Sequence, residues 1–138
     1  MRMRLLGFWL LVVNCLGAQA QVAVIAHKSV PINTASAATV LEIYSLGVKQ
    51  WSNESTVVVV NLKGSGNTVA TFYKFIGTPV LEMKKLWMRM QLSGEAKAPI
   101  SMNTEEEVVE KVASTRGAVG FVSADRVTTE VKVIATIK

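Results

Sequence analysis

The sequence is poor in the residues that most often carry chemistry. Its 138 residues include one cysteine, one histidine and three prolines, and Asp125 is its single aspartate. A zinc site therefore lacks its usual thiol and imidazole ligands. A Ser-His-Asp triad would have to combine His27 with Asp125, and no nucleophile-elbow motif accompanies them. Glycine and proline are too few for a fibrous or low-complexity chain, and no segment repeats at a period of roughly 20 to 50 residues. No apolar run approaches the roughly 20 residues that a spanning helix needs. What is present is ordinary for a globular chain: 50% apolar and 18% charged residues. At roughly 100 to 200 residues per domain this makes one domain, too small for a two-lobed binding protein or a multidomain enzyme.

The first twenty residues stand apart. Arg2 and Arg4 give a positive start, residues 5–13 form an apolar stretch, and Ala18-Gln19-Ala20 is a small-x-small cleavage site. This is the pattern of a secretory signal peptide, residues 1–20, with a mature domain of residues 21–138 beginning at Gln21. Cys15 suggests a second processing route, lipidation of a cysteine behind the apolar stretch, but Asn14 before it is larger and more polar than that route usually accepts. Removal of the leader takes Arg2, Arg4 and the cysteine with it and lowers the net charge from +5 to +3. A cysteine-free exported domain needs no oxidative folding, which suits a bacterial periplasm. The densest basic cluster, Lys84, Lys85 and Arg89, is interleaved with Met and Leu rather than with stacking aromatics, so it reads as the solvated face of a helix and not as a nucleic-acid surface. No membrane insertion is expected after cleavage.

The mature chain alternates short apolar runs with helical patterns. Residues 22–26 are nearly all apolar, as in a strand buried on both faces. Ser36 caps a helix that continues to Leu46, with Gly47 as its stop. Four valines after Thr56 predict a second buried strand over 56–60. Helices follow over 68–76 and 80–92, the second entered through Pro79. Thr104 and Glu107 form a capping box, and three glutamates sit at the positive end of that helix dipole. Gly117 ends the helix, and strands over 118–122 and 131–137 complete the set. Strands separated mostly by helices predict an α/β domain of three layers, with a mostly parallel (mixed) sheet of four to five strands.

The segment that can carry chemistry is residues 61–68, Asn-Leu-Lys-Gly-Ser-Gly-Asn-Thr, placed between a strand and a helix. Its glycines allow a tight turn, and the first turn of the helix presents free N–H groups and a positive dipole end to an anion. Lys63, Gly64, Ser65, Gly66, Asn67 and Thr68 are the candidate ligand-binding residues: Ser65 offers a hydroxyl, Asn67 an amide and Lys63 a charge. The competing reading is an ordinary turn in which Ser65 or Asn67 caps the helix. The spacing is not that of a nucleotide P-loop.

The order VAVIAHKSVP, LGVKQW, VVVVNLKGSGNT and STRGAVGFVSA resembles the second lobe of the phosphate-binding periplasmic proteins of ABC transporters, over residues 22–134. It is most similar to the short, single-lobe members. The resemblance implies one lobe of a type II periplasmic binding protein, a periplasmic location, no catalytic activity and no cofactor. In full-length members the loop reads Arg-Ser-Asp-Gly-Ser-Gly-Thr. Ser65 and Gly66 match that motif. The family's arginine falls on Asn61, its aspartate on Lys63 and its threonine on Asn67. Without the arginine the bidentate, charge-assisted grip on phosphate is lost, and Lys63 restores charge only as a flexible point source. The family's remaining phosphate contacts belong to a first lobe, so a site here is open and weak unless a partner closes it.

Trp51 matches the tryptophan of a family turn motif and reads as a packing anchor. Trp87 with Met83, Leu86 and Met90 reads as one apolar helix face, and Gly117 to Gly120 as close backbone packing at a strand start. Two functions of different classes follow: a module that binds phosphate or a similar oxyanion at residues 63–68, or a non-catalytic interaction or scaffold protein that keeps the fold without a ligand. A homodimer or a periplasmic protein partner is expected to cover the exposed cleft face. In a parallel sheet, His27 and Lys28 after the first strand would lie at the same edge as residues 63–68.

Overall fold

The computed structural model describes residues 21–138. The expected signal peptide, its expected cleavage site and Cys15 lie outside the described residues. Five strands, β1 (Val22–Ala26), β2 (Val58–Leu62), β3 (Ile100–Met102), β4 (Ala118–Ser123) and β5 (Lys132–Ile137), form one open sheet in the order β3-β2-β4-β1-β5. Four helices connect them: α1 (Ala37–Tyr44), α2 (Asn67–Ile76), α3 (Val80–Leu92) and α4 (Glu105–Ser114).

β2 runs parallel to β3 and β4, whereas β1 runs antiparallel to both β4 and β5. Four strands therefore point one way and β1 alone is reversed. Every residue of β1 is buried, as its unbroken apolar run predicts, but burial on both faces does not report direction. The reversal corrects one expectation. His27 and Lys28 leave β1 beside the start of β4, where the His27 N–H donates to the Ala118 carbonyl at 2.9 Å. They lie at the sheet edge opposite residues 63–68.

The two faces are covered by different helices. Alternate residues of a strand point to opposite faces, and in β4 Phe121 stacks on Phe72 of α2 at 3.8 Å between ring centroids, with the ring planes nearly parallel. Tyr44 of α1 packs on the same Phe72 at 4.7 Å. The neighbouring Gly120 faces α4, where a Cβ would meet Val108 Cγ1 at 2.9 Å and Val112 Cγ2 at 3.0 Å. Absence of a side chain at Gly120 is what lets α4 sit down on the sheet. α3 packs outside this layer, with Met83 and Trp87 buried, and the Trp87 indole donates to the Tyr44 carbonyl at the end of α1 at 2.7 Å. That bond satisfies an orphan carbonyl of the helix terminus.

Element ends differ from the sequence expectations in instructive ways. Ser36 does cap α1, accepting from the Thr39 N–H, but α1 ends at Tyr44, and the left-handed residue is Leu46 (φ 62°) rather than Gly47. Leu46 is buried, and burying a leucine outweighs the roughly 1–2 kcal/mol cost of a left-handed non-glycine residue. Gly47 instead admits a close approach, since a Cβ there would lie 3.3 Å from Glu42. β2 is displaced toward its C-terminus, because Thr56 is spent on an isolated bridge to Gln50. β3, with three residues, carries too little pattern to be read from sequence.

Candidate anion-binding loop

β2, β3, β4 and β5 all end at one edge of the sheet, and the loop of residues 63–68 leaves it there. Consecutive crossovers run from β2 outward to β3 and then back to β4 on the other face, so the loop stands at the point where the strand order reverses. Ligands of open α/β sheets sit at such points.

The loop is built by its backbone. The Lys63 N–H continues the ladder to the Met102 carbonyl at 2.9 Å. Gly64 then takes φ 109°, a conformation closed to ordinary side chains, and Gly66 is the N-cap of α2 with no side-chain cap bond. Neither Ser65 nor Asn67 caps the helix. The amides of Asn67, Thr68 and Val69 at the first turn make no hydrogen bond among the described residues, and that turn carries no acidic residue. Residues 63–67 are exposed, and nothing lies within 4 Å of where a Cβ would stand on Gly64 or Gly66. The result is a set of N–H donors on an exposed loop.

Two neighbours define the site further. Asn61, where the sequence resemblance would place an arginine, is turned inward: it is 2% exposed and its Oδ1 accepts from the Tyr73 hydroxyl at 2.6 Å. Burial holds the Tyr73 phenol well above the usual tyrosine range. Asn61 is thus a structural tie between β2 and α2 and not an anion contact. Thr68 is also committed, since its hydroxyl donates to Glu105 Oε1 at 3.0 Å. The same oxygen accepts the Ser123 N–H at 2.7 Å, and Arg126 lies 3.8 Å from the other carboxylate oxygen while pairing with Glu106 at 2.8 Å.

Glu105 is the neighbour that sequence reasoning missed. Capping and dipole compensation are the roles that the spacing predicts for the glutamates of α4, and Thr104 does accept the Glu107 N–H at 3.2 Å. Glu105 does more, reaching across the end of the sheet to the first turn of α2. No local signal predicts this, because only the strand order brings the starts of α2 and α4 together. Of the six candidate residues, Lys63, Gly64, Ser65, Gly66 and Asn67 share one exposed loop, while Thr68 faces Glu105.

His27 Nδ1 accepts the Ser29 N–H at 3.0 Å, and Ser29 Oγ accepts the Gly117 N–H at 3.2 Å. Asp125 follows β4, at the other end of that strand from His27. A six-residue strand separates them by roughly 17 Å, which places the two members of any triad at opposite edges. Trp51 is the packing anchor expected of it, buried and donating to the Gly117 carbonyl at 2.9 Å.

No family model matches the sequence. No curated protein matches it either. Solved structures do. A protein from Clostridium perfringens, described as a phosphate ABC transporter substrate-binding protein and solved with phosphate bound, superposes with a TM-score of 0.68 at 18% identity, over 83% of this chain and 45% of its own. An ABC-type phosphate transport receptor from Vibrio cholerae gives 0.63 at 18% identity over 83% and 46%. PstS from Borrelia burgdorferi gives 0.60 at 13% over 84% and 47%. The chain spans less than half the length of these neighbours, which are substrate-binding proteins. It has the α/β fold of one lobe of the phosphate ABC-transporter substrate-binding proteins.

Proposed function

We propose that this chain is a periplasmic, substrate-binding-like domain that holds phosphate or a similar oxyanion weakly at residues 63–68. The observation that carries the reading is the uncapped start of α2, with Gly66 as N-cap and three unpartnered amides at the reversal point of the sheet. An anion there gains the helix dipole and charge-assisted N–H bonds. Weakness follows from the same geometry: no arginine grips the anion, Lys63 is exposed, and the edge is open to water. A partner protein or a second copy that covers this edge would supply the enclosure that one lobe lacks.

A second reading, a scaffold that keeps the fold and binds no ligand, is favoured by one specific observation. The Glu105 carboxylate already takes the Thr68 hydroxyl beside the loop, and its charge repels a second anion. Calorimetric titration with phosphate and with sulfate separates the two. Heat that saturates at millimolar anion supports the binding module, and its absence supports the scaffold. Export is tested by intact mass: the reading expects a mature N-terminus at Gln21, and a species that retains residues 1–20 or carries lipid on Cys15 contradicts it.

A further inference from the structure

An apolar cavity lies at the other edge of the sheet, far from residues 63–68. It measures about 430 Å³ and is walled by the turn after α1, the start of β2, and the segment that leads into β3. Its origin is legible in the covalent chemistry. Pro99 has no N–H to donate to a ladder, and β3 begins immediately after it, with Ile100 paired to Val60. The stretch of β2 before Val60 therefore has no strand beside it on that side. Ala96 and Ala98, whose side chains are too short to fill the space, run past it instead. Leu46, held in its left-handed conformation, closes the far wall.

We propose that this cavity binds a small amphipathic anion, a medium-chain carboxylate, with its apolar body against Leu46, Val57, Val59 and Ile100 and its carboxylate at the rim. The volume falls within the roughly 300–1,000 Å³ of small-molecule sites, and such sites are mostly apolar with few polar groups. The charged residues of the lining are Lys49 and Lys97, both exposed, with no acidic residue among them. Two cations at the mouth of an apolar cavity complement a ligand that is apolar at one end and anionic at the other. They would gain nothing from a neutral hydrocarbon, and the apolar walls would gain nothing from inorganic phosphate. This site is independent of the oxyanion reading, because it uses the opposite edge and different residues.

The test is titration of the purified chain with decanoate, decanol and acetate, read by amide chemical shifts. Decanoate is expected to move Leu46, Val57, Val58, Val59, Ala98 and Ile100, and acetate is expected to leave them in place. Joint reversal of the exposed rim, Lys49→Glu with Lys97→Glu, should weaken decanoate about tenfold and leave decanol within about twofold. Ala98→Phe should fill the cavity and abolish binding of both. Unmoved cavity amides at millimolar decanoate overturn the proposal. So does decanoate binding that matches decanol and ignores the charge reversal, since the lysines would then play no part.

Discussion

At the scale of single residues, the fold depends on a few positions where backbone and side chain leave no alternative. Gly117 is the tightest. It has φ 79°, a Cβ there would lie 2.1 Å from the Thr56 carbonyl oxygen, and its own carbonyl and N–H are tied to Trp51 and Ser29. Gly117→Ala combines a left-handed non-glycine residue with a clash against backbone that cannot move, and should destabilise the domain by about 3 kcal/mol or more in urea denaturation. Tyr73 makes a different kind of prediction. Burial raises its phenol, and that of Tyr44, above the ordinary value near 10. Above that pH the unfolded chain loses phenolic protons that the native chain keeps, so the unfolded state binds fewer protons and stability falls as pH rises. Stability should hold through neutral pH and decline above about pH 10. Tyr73→Phe should lessen that decline, leaving the part due to Tyr44, while costing about 1–2 kcal/mol at neutral pH, because Asn61 loses its donor. A variant that is as pH-sensitive as the parent would show that Tyr73 is not the group responsible.

At the scale of elements, what could be read from sequence was what local chemistry decides. The cap at Ser36, the cap at Thr104 and the entry of α3 through Pro79 all follow from residue type and spacing, and the structure has each of them, while α2 starts at Asn67, one residue before the Thr68 that the pattern predicts. What could not be read depends on partners distant in sequence. The all-apolar run of β1 is equally compatible with either strand direction, and its reversal moves His27 to the far edge. The Glu105 contact to Thr68 spans the two faces and exists only because β4 lies beside β2. The loop was legible as a candidate because glycines and a following helix mark it locally. Its electrostatic neighbour was not. This pairing predicts that Glu105→Gln, which retains an oxygen acceptor for Thr68 and Ser123 but removes the charge, tightens phosphate binding by about threefold to tenfold. Ser65→Ala should weaken it about fivefold, the loss of one neutral donor worth about 1 kcal/mol. Unchanged affinity in both variants would mean that the anion sits elsewhere.

At the scale of the whole molecule, the fold matches one lobe of neighbours of which this chain covers less than half. One lobe can present donors but cannot surround a small anion, so an oxyanion site of this geometry is expected to be weak by itself and to strengthen when another surface covers it. The most direct test of that account is titration of the isolated chain with inorganic phosphate, with amide chemical shifts recorded along the sequence. The account predicts shifts confined to Lys63, Gly64, Ser65, Gly66, Asn67, Thr68 and Val69, saturating at millimolar phosphate. Shifts spread over the surface lysines, or micromolar binding by the isolated chain, would contradict it.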